Sequence, residues 1–303
     1  MSDLRPAPGL DQATNDRLLQ KAPGLDPAAV EFVARSALAE DLGDPPRDVT
    51  SEATIPADQV DTAEIVARAP GVVAGLPVAA AVVALTASWY AAPAAGIALT
   101  PDVAPTVGRA PLPPPQLTPS VTSNFDQLVD DGARVQRGDV LAVVTGTTRA
   151  LLTAERTALN ILCRMSGVAT HTRKWADALA GTKATVLDTR KTTPGMRALE
   201  KYAVRAGGGT NKRMGLYDVA MIKDNHKLAA GSITAAYRKV RETFPEVPVQ
   251  VEVTTLAEAE EAVEAGADFL LCDNMRPELL RDVVRAVGDR AELEATGNLT
   301  LET

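Results

Sequence analysis

The chain has 303 residues, of which 46% are hydrophobic and 23% charged, a composition typical of a folded globular protein. Only 3% of the residues are aromatic and the net charge is -8, so neither nucleic acid nor an anionic membrane is an expected partner. Between Arg149 and Lys227, however, 15 basic residues stand against 6 acidic ones, a local charge of +9. A cationic centre in an acidic protein favours a small anionic substrate.

The cysteine spacing and the hydropathy pattern predict a cytoplasmic protein without a thiolate metal site. Cys163 and Cys272 lie far apart and lack the paired spacing of a zinc or redox motif, so we expect two buried free thiols. The N-terminus lacks the basic and apolar segments of a secretion signal. No apolar run approaches the roughly 18 residues of a membrane-spanning helix.

The chain begins with a segment of low regularity, followed by a helix and a strand. Residues 1–25 show no apolar periodicity and predict a loose leader. Asp26 before Pro27 is a typical helix start, and the apolar face that follows predicts a helix ending near Leu42. Alternating apolar residues over 63–69 then predict a strand.

A second strand, a helix and a hairpin complete the first predicted domain. Two valines flanked by glycines predict a short strand, and we expect a helix to begin at Pro77. Residues 132–146 place a tight turn between two apolar alternations and predict a hairpin. Residues 91–120 hold eight prolines and predict an exposed insertion. We therefore expect an N-terminal α/β domain over residues 26–147 that carries this insertion.

The second half, residues 148–303, alternates helices with strands. Two helices are predicted after Thr148, the first ending at Gly167 and the second at Gly181. Short apolar runs then predict five strands, separated by helices, that begin near Ala184, Asp218, Val247, Asp268 and Ala291. This rhythm is typical of a parallel sheet in a doubly wound fold or a barrel. Five strands are fewer than a closed barrel requires, so we expect an incomplete parallel α/β barrel.

Polar residues end all five predicted strands. In parallel α/β folds the C-terminal strand ends converge on the functional site. Here they carry cations at two ends and acids at three: Asp188-Thr189-Arg190-Lys191, Lys223-Asp224-Asn225-His226, Glu252, Asp273-Asn274, and Glu294 followed by Thr296-Gly297-Asn298. The sequence therefore predicts an anion-binding active site at these strand ends.

The residue types indicate which ligand such a site takes. Arginine forks onto a carboxylate or phosphate and lysine supplies a point charge, so Arg190 with Lys191, Lys212 with Arg213, and Lys223 are candidates to hold a polyanion. Carboxylates beside them suit sugar hydroxyls or a magnesium ion. His226 follows in a turn, where we expect a capping or packing role. A Schiff-base aldolase with Lys223 as nucleophile is an alternative that these residues leave open.

Five segments carry a closer resemblance. They are Leu152–Asn160 (LTAERTALN), Asp188–Gly195 (DTRKTTPG), Lys201–Gly209 (KYAVRAGGG), Arg213–Asp218 (RMGLYD) and Ile222–His226 (IKDNH). Over about residues 28–300, apart from the insertion, the chain closely resembles the quinolinate phosphoribosyltransferases, also called nicotinate-nucleotide pyrophosphorylases (carboxylating), of the type II phosphoribosyltransferase family. The resemblance implies an N-terminal α/β sandwich, an incomplete α/β barrel, and a homodimer with a shared active site.

The resemblance also implies the reaction. Phosphoribosyl transfer from phosphoribosyl pyrophosphate to quinolinate, with decarboxylation, would give nicotinate mononucleotide for NAD biosynthesis, with Mg²⁺ as cofactor. Arg156 would reach the quinolinate of the partner subunit, and Arg190, Arg213 and Lys223 would bind the quinolinate carboxylates. Lys191 would contact the phosphoribosyl substrate, and Thr189 and Lys212 are further substrate-binding residues. The phosphoribosyl and magnesium side would comprise Glu252, Asp273, Thr296, Gly297 and Asn298, with Lys191, Glu252 and Asp273 as catalytic residues and the last two as metal ligands.

Three departures from the family pattern suggest alternatives. Lys212 stands where the family has histidine, and Thr296-Gly297-Asn298 replaces a Ser-Gly-Gly turn. The family's last strand and phosphate loop do not occur before the end of the sequence, so we expect a barrel that is truncated at this end. A sister phosphoribosyltransferase for another heteroaromatic acid, or a weak paralogue that binds a pyridine dicarboxylate, are therefore the alternatives.

Overall fold

The computed structural model describes residues 5–6, 9–91, 97–98 and 123–302. The Cα positions group into two compact units, residues 1–211 and 212–303. These are called the first and second unit below. The domain boundary predicted between residues 147 and 148 stays a prediction. The helix that begins at Thr148 lies within the first unit.

The first unit combines helices with strands that are antiparallel apart from one pair. Strand β7 (Val140–Thr147) lies between β2 (Val60–Val66) and β5 (Asn124–Gln127) in an antiparallel sheet. Strand β3 (Gly71–Val72) pairs antiparallel with β6 (Arg134–Val135), and β1 (Arg5–Pro6) pairs in parallel with β4 (Ile97–Ala98). In chain order the elements are β1 (Arg5–Pro6), α1 (Gln12–Lys21), α2 (Pro27–Leu42), α3 (Val49–Thr54), β2 (Val60–Val66), β3 (Gly71–Val72), α4 (Leu76–Ala91), β4 (Ile97–Ala98), β5 (Asn124–Gln127), β6 (Arg134–Val135), β7 (Val140–Thr147), α5 (Thr148–Ala178) and α6 (Arg197–Ala206).

Local capping signals set the first helices. The Asp26 side chain accepts a hydrogen bond from the Ala28 amide at 3.0 Å, and α2 ends before Gly43 at φ +72°, which confirms the predicted helix. The prediction of a loose leader is wrong over α1, which Asp11 caps. Leu18 is the one residue of α1 that is buried, and it packs in the core of the first unit. One buried residue makes no apolar repeat in the sequence, so the helix was not predicted.

Helix α5 is continuous over 31 residues, so the predicted break at Gly167 is wrong. Glycine in a helix costs about 1 kcal/mol relative to alanine. Met165 and Ala169, on either side of Gly167, are fully buried in the core of the first unit. Burial of this helix face outweighs the local preference of one glycine.

One predicted hairpin and one predicted strand are also wrong. The turn at Gly138 exists, but β6 pairs with β3 rather than with β7, because β2 and β5 occupy the two edges of β7. The strand predicted near Ala184 is reduced to a parallel bridge between Leu187 and Thr210. Three glycines precede Thr210, and glycine disfavours extension of the partner strand.

The second unit is an α/β layer with a fully parallel sheet in the order β11-β10-β9-β8. Its core lies between the sheet and the helices and is built largely from valine, leucine, isoleucine and alanine. The elements are β8 (Ala220–Ile222), α7 (Asp224–Ala230), α8 (Ile233–Thr243), β9 (Val249–Val253), α9 (Leu256–Glu264), β10 (Phe269–Asp273), α10 (Pro277–Val287) and β11 (Glu292–Thr296). The predicted mixed α/β fold with a parallel sheet is confirmed, whereas the incomplete barrel stays a prediction.

Three further expectations concern the surface of the chain. Both cysteines are free, but Cys163 is exposed on α5 and only Cys272 is buried, so the prediction of two buried thiols is half right. Most of the predicted insertion at 91–120 lies outside the described residues. Within the described ranges, no helix combines the length and the apolar composition that a membrane crossing requires.

Candidate active site

The predicted cations of the first unit lie in a loop between the Leu187 bridge and α6. The amide of Lys191 donates to Thr189 Oγ1 at 3.0 Å, which turns the loop, and both side chains are exposed. Arg190 is half-buried, and its Nε atom is buried without a hydrogen-bond partner among the described residues. A buried N–H group without a partner is uncommon in native structures, and it marks Arg190 as a candidate ligand-binding side chain.

A buried polar cluster supports the start of this loop. Lys201 Nζ lies 2.5 Å from Asp188 Oδ1, and Lys201 is only 2% exposed. Asn211 Nδ2 donates to Asp188 Oδ2 at 2.6 Å and to the Lys201 carbonyl at 2.8 Å. Asp188 was predicted at the end of the first strand, but Lys201 and Asn211 were not predicted as site residues, because a lysine and an asparagine in a polar helix and loop are expected to face solvent.

A second set of contacts supports the end of the loop. Glu200 accepts a hydrogen bond from the Thr193 amide at 3.1 Å and another from Arg164 Nε at 2.9 Å. Burial acts to raise the pKa of Glu200, but these hydrogen bonds outweigh it, so the pKa lies below its ordinary value. Glu200 is therefore a carboxylate at neutral pH.

Arg156 stands apart from these contacts on α5. Its side chain is exposed, next to the buried Thr157. An exposed arginine on a rigid helix is available to a ligand or to another subunit. Its predicted role toward the quinolinate of the partner subunit stays a prediction.

In the second unit, one face of the parallel sheet is polar. Strand residues alternate between the two faces, and the pairing register places Met221 beside Gln250, and Leu271 between Glu252 and Glu294. The opposite face forms the apolar core under the helices. The polar face, as defined here, comprises Met221, Gln250, Glu252, Phe269, Leu271, Asp273, Glu294 and Thr296.

Lys212 and Gln250 both bind Glu294 on this face. Lys212 Nζ forms an ion pair with Glu294 Oε2, which also accepts from Gln250 Nε2 at 2.8 Å. The Lys212 ammonium lies 5.6 Å from the centre of the Phe269 ring. Burial lowers the pKa of Lys212 below its ordinary value, although Glu294 favours the charged form. Glu294 and Gln250 were not among the predicted site residues, although Glu294 does lie at a predicted strand end.

Arg213 and Lys223 both lie next to β8. Arg213 donates to the Val219 carbonyl at 3.3 Å and contacts the sulfur of Met221 at 3.1 Å. The Lys223 side chain is half exposed, and its Nζ lies 3.6 Å from Glu252 Oε2, longer than a hydrogen bond. Lys223 can therefore exchange Glu252 for an anionic ligand at small cost.

The neighbouring His226 has a structural role. Its Nδ1 accepts a hydrogen bond from the Lys223 amide at 2.9 Å and so caps α7. The expected capping role of His226 is confirmed. The cap also fixes the backbone of Lys223 at the C-terminal end of β8.

The predicted phosphoribosyl side begins with Glu252 and Asp273. Asp273 accepts a hydrogen bond from Asn274 Nδ2 at 2.8 Å. Among the described residues, no three His, Cys, Asp or Glu side chains cluster closely enough to hold a metal ion alone. Mg²⁺ is commonly bound by one or two carboxylates together with substrate phosphates and water. The Mg²⁺ site expected at Glu252 and Asp273 stays a prediction.

The ends of β10 and β11 meet in a tight turn. The Asn274 amide donates to the Thr296 carbonyl at 2.9 Å, and Asn298 Nδ2 donates to Asn274 Oδ1 at 2.8 Å. Gly297 has φ +83°, and a Cβ atom there would lie 2.3 Å from Asn274 Oδ1. The predicted residues Thr296, Gly297 and Asn298 are thus joined to the end of β10, and only glycine fits at position 297.

Comparison with known proteins agrees with these motifs. The chain matches the model of the quinolinate phosphoribosyl transferase N-terminal domain over residues 117–166 and that of the C-terminal domain over 168–303. It is 42% identical over 277 residues to the nicotinate-nucleotide pyrophosphorylase (carboxylating) of Mycobacterium leprae, covering 90% of this chain and 86% of the relative. A probable nicotinate-nucleotide pyrophosphorylase (carboxylating) of Synechocystis sp. is 37% identical, with 87% and 79% covered.

Solved structures agree as well. The crystal structure of NadC from Streptococcus pyogenes aligns with a TM-score of 0.77 at 34% identity, covering 92% of this chain and 87% of that one. The nicotinate-nucleotide pyrophosphorylase from Francisella tularensis aligns with a TM-score of 0.75 at 31% identity, covering 90% and 84%.

Proposed function

The chain belongs to the quinolinate phosphoribosyltransferase family, and on this premise we propose that it transfers a phosphoribosyl group from phosphoribosyl pyrophosphate to quinolinate. The reaction includes decarboxylation and yields nicotinate mononucleotide, pyrophosphate and carbon dioxide. The enzyme is thus a pentosyltransferase of NAD biosynthesis.

The observation that carries this proposal is the state of Arg190. Its Nε atom is buried and has no partner among the described residues. Leaving such a donor unsatisfied costs about 1–3 kcal/mol, so a ligand that supplies an acceptor gains that energy on binding. A guanidinium group pairs best with a carboxylate through two parallel hydrogen bonds. Quinolinate carries two carboxylates on adjacent ring carbons and is the anion that this side chain suits.

Lys212, Arg213 and Lys223 are the predicted cations of the second unit. The charge of Lys212 is balanced by Glu294, so the pair adds no net charge where the family has histidine. We assign Arg213 and the half-exposed Lys223 to the quinolinate carboxylates. The match to the quinolinate phosphoribosyl transferase domains supports quinolinate as substrate over a different heteroaromatic acid.

The chemistry follows from charge. Loss of pyrophosphate leaves an oxocarbenium-like ribose, which the ring nitrogen of quinolinate traps. The resulting pyridinium stabilises the carbanion that forms as the 2-carboxylate leaves as carbon dioxide, and a proton then takes its place. Catalysis consists of positioning and electrostatic preorganisation, with Lys191 at the phosphoribosyl substrate and Glu252 and Asp273 at the ribose hydroxyls.

Glu252 and Asp273 are also the residues that would hold Mg²⁺. Both carboxylates belong to the polar face, and their number suits an ion that takes its remaining ligands from pyrophosphate and water. When bound, the ion would neutralise charge on the leaving pyrophosphate. Thr296, Gly297 and Asn298 complete the proposed phosphoribosyl side.

The assembly and the location belong to the same proposal. We assign a cytoplasmic homodimer in which Arg156 serves the active site of the other copy. The exposed position of Arg156 on the rigid helix α5 supports this role. Cross-linking in solution, together with mixing of an Arg156→Ala chain and an inactive second variant, tests the sharing directly, because only a shared site restores activity in the mixed dimer.

The function is tested by incubating the purified chain with quinolinate, phosphoribosyl pyrophosphate and Mg²⁺ and following nicotinate mononucleotide. We expect product with quinolinate and none with nicotinate. Product from nicotinate alone would contradict the substrate, and absence of product from both would contradict the function.

Arg190→Lys gives the matching residue test. The substitution keeps the charge and removes the fork, so the KM for quinolinate should rise about tenfold, equivalent to the loss of one charged hydrogen bond. Arg137→Lys, at an exposed turn, is the control and should leave the KM unchanged. Equal KM values for both variants would contradict the role of Arg190.

A further inference from the structure

Helix α6 presents three charged side chains to the loop that carries the cations of the first unit. This loop, residues 188–193, is called the site loop below. Arg197, Glu200 and Lys201 are spaced by three and four residues, so they lie on one face of α6. Each of them binds a different part of the site loop.

Lys201 holds the beginning of the site loop. Its ammonium pairs with Asp188 Oδ1 at 2.5 Å, and Asn211 donates to the second carboxylate oxygen at 2.6 Å. Asp188 therefore has a defined orientation on both oxygens. Thr189 follows it directly in the chain.

Arg197 and Glu200 hold the middle and the end. Arg197 Nε donates to Thr192 Oγ1 at 3.1 Å, and its Nη2 lies 3.5 Å from the Arg190 carbonyl. Glu200 Oε2 accepts from the Thr193 amide at 3.1 Å. The backbone of the site loop is thus fixed on both sides of Arg190.

The burial of these groups argues for a role beyond stability. Glu200 is 5% exposed and Lys201 is buried more deeply still. Buried ion pairs contribute little net stability, and apolar residues of similar volume often serve as well. What a charged group adds is a fixed direction for its partner. A rigid loop keeps the guanidinium of Arg190 and the ammonium of Lys191 in place before the ligand arrives.

We infer that Arg197, Glu200 and Lys201 are positioning residues that hold the site loop in its ligand-binding geometry. The inference rests on the proposed function, in which Arg190 and Lys191 bind the two substrates. The three residues act through the loop and do not touch substrate. Their substitution should therefore affect substrate binding although they lie behind the site.

The test compares three substitutions on α6. Glu200→Ala removes the acceptor for the Thr193 amide, Glu200→Gln retains an acceptor oxygen, and Tyr202→Phe is the control. Tyr202 donates to Asp131 at 2.9 Å, so its substitution removes one hydrogen bond of the same helix without touching the site loop. For each variant, KM and kcat are measured with quinolinate and with phosphoribosyl pyrophosphate, and amide hydrogen exchange is followed over the site loop.

Glu200→Ala should raise both KM values about tenfold or more, as expected for displaced binding groups. It should also accelerate exchange of the Thr193 amide. Glu200→Gln should restore both properties to near the wild-type values. Tyr202→Phe should leave KM and site-loop exchange unchanged. If Glu200→Ala does not fold, Arg197→Met at a half-buried position takes its place. Loss of the contacts to Thr192 and the Arg190 carbonyl should then raise both KM values.

Two results would overturn the inference. One is wild-type KM and wild-type exchange in folded Glu200→Ala, and the other is an equal effect of Tyr202→Phe. Failure of the proposed function is distinguishable, because the wild-type chain itself would then form no product. The exchange measurement still decides, in that case, whether α6 holds the site loop.

Discussion

Replacing Lys212 with methionine should destabilise the second unit through its ion-pair partner. The Lys212 and Glu294 side chains are 10% and 12% exposed, and Gln250 beside them is fully buried. Lys212→Met leaves the Glu294 carboxylate with the Gln250 amide as its remaining partner in this group. Removing one member of a buried ion pair destabilises a protein by about 3–5 kcal/mol. We expect about 3 kcal/mol here, because a little solvent reaches this pair.

The double variant Lys212→Met with Glu294→Gln should recover most of that loss. Burial already lowers the pKa of Lys212, so burial disfavours the ammonium by more than Glu294 favours it. The unfolded state therefore binds this proton more tightly than the folded state. Wild-type stability should rise with pH between the lowered pKa and the ordinary lysine value of 10.5, and the double variant should lack that rise.

Urea unfolding followed by far-UV circular dichroism measures both effects. Tryptophan fluorescence is unsuitable, since Trp89 and Trp175 both belong to the first unit. Surface substitutions usually change the free energy of unfolding by less than about 0.5 kcal/mol. A change within that limit for Lys212→Met would contradict the predicted loss of stability. A double variant less stable than Lys212→Met would contradict the predicted recovery.

Three further predictions concern separate parts of the chain. Gly297→Ala should destabilise the second unit by at least about 1 kcal/mol and raise the KM for phosphoribosyl pyrophosphate. Residue 297 has a positive φ, and a Cβ atom there would clash with Asn274. Urea unfolding measures the first effect and steady-state kinetics the second. Burial acts to raise the pKa of Glu258, but hydrogen bonds from Lys227 and Thr254 outweigh burial and lower this pKa. The stability that the Glu258 carboxylate contributes should therefore be lost as the pH falls through the lowered pKa. Glu258→Gln should flatten that acid limb in thermal unfolding, and an unchanged limb would count against it. Arg156→Ala should raise the KM for quinolinate while leaving the unfolding free energy within about 0.5 kcal/mol of wild type, as expected for an exposed residue; a large stability loss would contradict a binding role.

Where capping chemistry decides the structure, the sequence was sufficient. Asp26, Pro27 and Gly43 specify α2 by local hydrogen bonds and allowed φ values, and the structure has that helix at the predicted ends. The helix break predicted at Gly167 was wrong, because burial of one face of α5 outweighs the low helix propensity of a single glycine. The pairing of β6 was also inaccessible, since alternation shows which face is buried but not which strand lies alongside.

The site divides in the same way. Charged residues after apolar runs are visible in a sequence, so Arg190, Lys223 and Glu252 could be predicted as candidate site residues. The comparisons confirm the family that their motifs indicated. The residues behind them, such as Lys201 and Gln250, were missed. A lysine in a polar helix looks like a solvated side chain, and only the fold reveals that it is buried against a carboxylate.

The central claim is tested most directly by the stoichiometry of one reaction. Quinolinate labelled in its 2-carboxylate is mixed with phosphoribosyl pyrophosphate, Mg²⁺ and the purified chain, and labelled carbon dioxide and pyrophosphate are measured together. A quinolinate phosphoribosyltransferase releases them in equal amounts, and release of both stops when either substrate is omitted. Pyrophosphate without labelled carbon dioxide, or neither product, would contradict the proposed reaction.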